Sequence, residues 1–223
     1  MSHRAPPMGI LTGHSSGGTM GLGGKIALGC GGLVVLLLLV LGLGTMGAYN
    51  SLNSLSQAVD AQWGQVENVY QRRADLVPNL VETVKGAAAF EKGTFLAVAE
   101  ARAKVGQVSL GAGKAPTSPQ AMAQFQQAQD GLGSALSRLL VVVERYPDLK
   151  ATQNFRDLQA QLEGTENRIA VERMRFNQAA QAFNTRRNSF PTVLLVGFFG
   201  DRFRERAYFK AQPGAEAAPK VAF

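Results

Sequence analysis

A gap in the charges constrains this chain more than any other feature. No Asp, Glu, Lys or Arg occurs between Lys25 and Asp60. Within the gap, from about Ile26 to Gly47, lies an almost unbroken apolar run that contains Leu33, Val34, Val35, Leu36, Leu37, Leu38, Leu39, Val40 and Leu41. A helix of about 21 residues spans roughly 30 Å, the thickness of a bilayer's hydrocarbon core. The run predicts a single transmembrane anchor over residues 26–47. A cleaved signal peptide is a second reading, with small residues around Thr45-Met46-Gly47 before Ala48. The run is longer than a usual signal core and its basic flank is weak, so the anchor is favoured. A lipidated Cys30 is a third reading, disfavoured because such a Cys should end the apolar run and Cys30 sits near its start.

The distribution of Lys and Arg sets an expected orientation. Arg4, Lys25 and the terminal amine precede the run, and no Lys or Arg follows it until Arg72. That bias places the N-terminus in the cytoplasm and the soluble domain outside it. Residues 1–25 are rich in Gly and Ser and poor in charge. They cannot bury enough apolar surface to offset their ordering entropy, so a disordered tail is expected there. His3 and His14, the only histidines, lie in that tail as isolated residues and do not read as a metal site. A flexible tail is expected again over residues 211–223.

From Tyr49 the apolar residues recur every three or four positions, through Leu52, Leu55, Val59, Trp63, Val66 and Tyr70. This is the period of an amphipathic helix. Pro78 predicts a kink or a fresh helix start, because proline lacks an amide donor and clashes with the preceding turn. The period resumes with Leu80, Val81, Val84 and Ala88, and Phe95, Val98, Ala101 and Val105 carry it to about residue 106. Gly106 to Ser118 reads as an exposed connection. Ser118-Pro119 then opens a helix, with Ser as cap and Pro at the first helical position. Tyr146-Pro147-Asp148 closes that helix. A last one, from about Asp148 to Arg187, is expected to be roughly 60 Å long. Strand alternation is absent. The fold class is all-α: an N-terminal transmembrane helix over 26–47, then an elongated antiparallel helical bundle over 48–210.

The stretch from Gln71 through Arg72, Arg73, Asp75, Pro78 and Asn79 to Gly86 resembles the signature of the LemA family, as does Tyr49-Asn50 directly after the apolar run. So do Arg145-Tyr146-Pro147-Asp148-Leu149, Glu163-Gly164-Thr165-Glu166-Asn167-Arg168-Ile169-Ala170, Glu172-Arg173, Phe176-Asn177 and Phe190-Pro191. The resemblance spans about residues 48 to 210. It implies a membrane-anchored antiparallel helical bundle in a bacterial inner membrane, and no defined activity. Some relatives are associated with specialised bacterial membranes such as the magnetosome. The family's N-terminus has been taken to lie outside the cytoplasm, opposite to the charge argument, so the side of the membrane stays open.

The predicted bundle contains no His and no Cys, which removes the commonest general base, the commonest zinc ligands and the thiol nucleophile. Glu163, Glu166 and Asn167 fall within about one helical turn, and Asp75, Asn79 and Glu82 share a face. They read as a hard-cation site or as an interhelical polar network with Arg72, Arg73 and Arg168, and the network is favoured because Arg forks match carboxylates. No catalytic, cofactor or metal residue is assigned, and no cofactor is expected. Trp63 and Tyr70 fall on the apolar stripe and read as core.

The charge is uneven. From Asp60 to Asn167 there are 11 Lys+Arg against 12 Asp+Glu, and from Arg168 onward 10 against 4. The excess surrounds an uncharged stretch from Phe190 to Gly200. Eleven residues cannot span a bilayer as a helix. Phe190, Leu194, Leu195, Phe198 and Phe199, with Arg202, Arg204 and Arg206, read as a candidate membrane-interface segment. The alternative, which is favoured, is that the segment folds back and caps the bundle. Nucleic-acid binding lacks any motif. The expectation is a non-enzymatic membrane-anchored scaffold that self-assembles and organises membrane or recruits partners. Its expected partners are membrane lipid, further copies of itself and a membrane protein. An adaptor for a protease or transporter is the alternative, and a metal-dependent enzyme comes third.

Overall fold

In the computed structural model, residues 22–87, 92–108 and 113–210 are described. The chain divides into two units, Met1–Met46 and Gly47–Phe223. The elements are helix α1 (Leu22–Ala87), α2 (Lys92–Gln107), α3 (Pro119–Val143), the short α4 (Pro147–Lys150), α5 (Gln153–Asn188) and the short α6 (Thr192–Leu195), then a 3-10 segment (Val196–Phe203). No strand occurs among the described residues. The expected tails at 1–25 and 211–223 lie almost wholly outside the described residues.

In the first unit, α1 is apolar all round from Leu33 to Leu41. Leu33 through Leu41 are each 54% to 68% exposed, with no charge among them. A helix without a polar face is at home in lipid or in a protein core. The Thr45 hydroxyl donates to the Leu41 carbonyl at 2.8 Å, which satisfies the one hydroxyl near the end of the run.

In the second unit, the helices alternate in direction. Arg186 reaches Ser51, Glu172 reaches Gln62, and Glu166 reaches Arg73. Numbers rise along α1 as they fall along α5, so the two are antiparallel. The core forms two clusters. One gathers Leu52, Val59, Trp63, Val66, Tyr70, Phe125, Ile169, Phe176 and Phe183. The other gathers Val77, Leu80, Val84, Val98, Leu132, Leu139, Phe155 and Leu162.

Three boundaries differ from the sequence reading. The period that runs on to residue 106 belongs to two helices, α1 and α2, because each buries an apolar face and periodicity does not register where a chain reverses. Helix α5 begins at Gln153, where the Thr152 hydroxyl accepts from the Phe155 amide, and not at Asp148, which falls in α4. Helix α1 continues through Pro78. A proline there has no N–H for the carbonyl of Ala74, four residues back. That carbonyl accepts instead from Arg102 Nε of α2, at 3.3 Å. The proline thus opens a backbone acceptor that fastens the neighbouring helix. The cap at Ser118 is as expected, its hydroxyl accepting from the Ala121 amide at 3.0 Å with Pro119 in the first turn.

After α5 the chain turns through Phe190-Pro191 and returns along the bundle. At Gly200 φ is +62° and ψ is −151°, a conformation that only glycine adopts without strain. The turn there sends Phe203, Arg206 and Phe209 into the interior. Residues 204–210 are extended and run back along α5, with the Asn184 and Asn177 side chains bonded to the backbone of Arg206 and Phe209. The Lys210 backbone meets Gln126 of α3 and Arg173 of α5. This strap closes the bundle.

Candidate functional site: two polar layers and an exposed apolar tip

Of the expected polar network, the structure brings together one pair. Arg73 is 4% exposed and donates to Glu166 at 2.9 Å. Its other terminal nitrogen, Nη2, donates to the carbonyl and side-chain oxygens of Gln129, at 3.0 and 2.5 Å. Each residue of this trio separates the two core clusters on its own helix: Arg73 between Tyr70 and Val77, Gln129 between Phe125 and Leu132, Glu166 between Leu162 and Ile169. The layer therefore ties α1, α3 and α5 at one level. A register slip of any of them would bury Arg73 without its partners, at a cost of several kcal/mol by general experience with buried ions.

The other expected members lie elsewhere. The Asp75 carboxylate accepts from Gln71 one turn earlier, at 2.7 Å. The Asn79 carbonyl accepts from Thr83. Glu163 accepts from Gln159 within α5. Arg72, Asn167 and Arg168 are exposed. The expected eight-residue network thus reduces to Arg73 and Glu166, because residues one position apart on a helix point about 100° apart. Gln129 was missed, although a polar residue on the apolar stripe between Phe125 and Leu132 is a signal of a buried partner. Among the described residues, no group of three or more His, Cys, Asp or Glu side chains is gathered as metal ligands would be.

A second polar layer is built from the C-terminal strap. Arg206 is 7% exposed. It faces Asp60 at 3.4 Å, donates to Ser56 Oγ at 2.7 Å and to the Ala115 carbonyl at 3.3 Å, and lies over the Phe183 ring. This corrects its assignment to a membrane-facing segment: its charge is spent inside the bundle. Asp60 also accepts from the Ala115 amide, which pins the connection before α3.

The rest of that segment divides in two. Thr192, Val196 and Phe203 are buried, and the half-buried Phe199 packs edge-on to Tyr49 at 5.4 Å. Leu195 is half-buried. Phe190, Leu194 and Phe198 are 79%, 65% and 87% exposed, and Val193 is exposed beside them. Arg202 lies over the Tyr49 ring and donates to Asn53, and Arg204 pairs with Asp201. The segment both caps the bundle and presents an apolar tip.

Tyr70 is buried beside the first layer, with the Arg73 guanidinium 5.1 Å from its ring centre. Burial pushes its phenol above the usual value of 10.0, against the pull of Arg173 and Arg73. The fold favours the protonated form. Its contribution to stability is full below pH 10 and is lost as pH rises through the raised value. Tyrosinate absorbance should show a step above pH 10 that Tyr70→Phe removes. An unchanged step would assign it to another tyrosine.

These features define an all-α bundle closed by a C-terminal strap, preceded by one helix segment long and apolar enough to cross a membrane. The chain belongs to the LemA family, whose family model matches residues 62–223. The match begins beyond the apolar run and takes in the Arg73 layer, the strap with Arg206 and the tip, while Ser56 and Asp60 of the second layer precede it. The chain is also similar to Magnetosome protein MamQ 2 and Magnetosome protein MamQ 1 of Paramagnetospirillum magneticum (strain ATCC 700264 / AMB-1). A third relative is Magnetosome protein MamQ of Magnetospirillum gryphiswaldense (strain DSM 6361 / JCM 21280 / NBRC 15271 / MSR-1). Each is 27% identical over 187 residues, which covers 75% of this chain and 66% of the relative. The chain thus spans slightly less than two thirds of the length of these relatives.

Proposed function

We propose that this protein is a non-enzymatic, membrane-anchored scaffold whose helical bundles associate laterally and organise the membrane that holds them. The observation that carries the reading is the apolar run of α1, exposed on every side over Leu33–Leu41 and free of charge. An unpartnered apolar cylinder of that length is stable in a bilayer. Similarity to magnetosome proteins supports a role at a specialised membrane. Of the bundle's buried arginines, Arg73 holds helices in register and Arg206 fastens the strap, which favours a structural use of its polar residues. Its surface adds the apolar Val171 and Met174, suited to contact between copies.

An adaptor is the second reading, favoured by the open groove beside Arg73 that Asp130, Ser134, Ser137, Glu163 and Asn167 line. Charge reversal at the exposed Arg72 tests it by loss of a partner. Reversal at Arg73 would not, because that side chain is buried and its loss disturbs the bundle itself. For the scaffold, the full chain is reconstituted into vesicles and imaged by negative stain. Clusters or vesicle deformation are the expected result, and dispersed single copies on undeformed vesicles would overturn it.

A further inference from the structure

From the tip formed by Phe190, Val193, Leu194 and Phe198, we infer that the bundle makes a second contact with the bilayer: these side chains enter the headgroup region of an anionic membrane. The inference rests on the reading that residues 26–47 are embedded.

Three observations carry it. First, the tip is apolar and presented outward. Residues 189–200 contain no charged side chain, while Phe190 and Phe198 are 79% and 87% exposed. Neighbouring Thr192, Val196 and Phe203 are buried, so the exposed residues stand on a packed base and not on a loose loop. Second, the tip is fastened to the part of α1 that directly follows the apolar run. Phe199 and Phe203 pack edge-on against Tyr49, Arg202 bonds Asn53, and Arg186 bonds Ser51. Tyr49 is three residues beyond Met46, which is at most about 11 Å of chain. The headgroup layer beyond the hydrocarbon core is roughly 5–7 Å deep on each side. With the apolar run embedded, chain length alone holds Tyr49, and what packs on it, near the interface where Tyr is at home. Third, the charge suits anionic lipid. Arg186, Arg187, Arg202 and Arg204 flank the tip against Asp201 and Glu205, a net charge of +2 that excludes the buried Arg206.

A second copy of the chain is the competing occupant. Four side chains of this size offer roughly 400–500 Å², against about 800 Å² per partner in a stable dimer. The area is too small for that role, whereas interfacial insertion of a few aromatic and aliphatic side chains needs no more.

Spin labels read the result in the full chain. On a Cys30→Ser background, single Phe198→Cys, Leu194→Cys, Leu37→Cys and Val141→Cys variants are labelled and reconstituted into phosphatidylcholine–phosphatidylglycerol vesicles. Val141 is an exposed residue near the end of α3 and serves as the aqueous reference. Labels at 194 and 198 should show an oxygen-to-nickel accessibility ratio several-fold above that at 141 and below that at 37, the order that headgroup depth requires. The elevation should shrink in phosphatidylcholine alone, and equal values in both lipids would overturn the part given to the arginines. Aqueous values at 194 and 198 with an immersed label at 37 would overturn the second contact and leave the anchor intact. An aqueous label at 37 would overturn the anchor and this inference together. Labels shielded from both oxygen and nickel, with dipolar broadening, would assign the tip to a second copy.

Discussion

Trp63→Ala should lower the stability of the bundle by about 3–5 kcal/mol, the range for removing a large aromatic from a packed core. Trp63 is fully buried, and its ring meets Phe125 at 5.0 Å, Phe176 at 5.5 Å and Phe209 at 6.0 Å. Those rings belong to α3, α5 and the strap, so one side chain on α1 joins every layer of the larger cluster. For a domain of this size the melting temperature should fall by roughly 10 °C or more. Trp63→Phe separates packing from hydrogen bonding. The indole Nε1 is buried with no hydrogen-bond partner, so its removal forfeits no bond. That variant should lose only about 1–2 kcal/mol, because a ring remains to fill most of the space. Thermal melts by circular dichroism on the detergent-solubilised chain make the comparison. Equal losses for the two variants would mean that the indole nitrogen holds something the aromatic cluster does not account for.

Arg206→Ala should release the strap. The substitution strips Asp60 and Ser56 of a partner and frees the Ala115 carbonyl, at one level of the bundle. Removing one member of a fully buried pair costs about 3–5 kcal/mol, but Asp60 is 28% exposed and keeps part of its hydration, so about 2–3 kcal/mol is expected here. The loss should be local. Asn184 still holds the backbone at position 206 from both sides, so Asn184→Ala combined with Arg206→Ala should free the strap further. Limited proteolysis reads this directly: cleavage should move into residues 204–210 while the helical fragments survive. Early cleavage inside α1 or α5 instead would show that Arg206 supports the whole bundle and not its closure.

The parts of this fold that were legible in the sequence are those built from local rules. The anchor candidate is an uninterrupted absence of charge. Helix α3 declares its start through Ser118-Pro119, and α5 carries an apolar period from Phe155 to Phe183. The parts that were hidden depend on residues far apart in the chain. Nothing in the repeating pattern separates α1 from α2, since both keep the same period. Pro78 reads locally as a kink or a fresh helix start, yet α1 runs through it and Arg102 satisfies the carbonyl that the proline leaves open, a partner that belongs to another helix. Gln129 was legible in principle, as a polar residue in an apolar slot, and Arg73 likewise between Tyr70 and Val77. Arg206 was not: it lies in an extended strap without periodicity, and its partners Ser56, Asp60 and Ala115 are distant in sequence. The C-terminal segment read as either a cap or a membrane contact because its apolar residues face both ways, half buried in the bundle and half at its tip.

The proposed scaffold requires that copies of this chain assemble in the membrane that holds them. The most direct test is the mass of the protein extracted gently from its native membrane, by size-exclusion light scattering with negative-stain imaging of the same fractions. A large homomeric particle, many times the mass of one chain and with lipid attached, is the expected result. A lone monomer, or a small complex of fixed stoichiometry with one other protein, would contradict it.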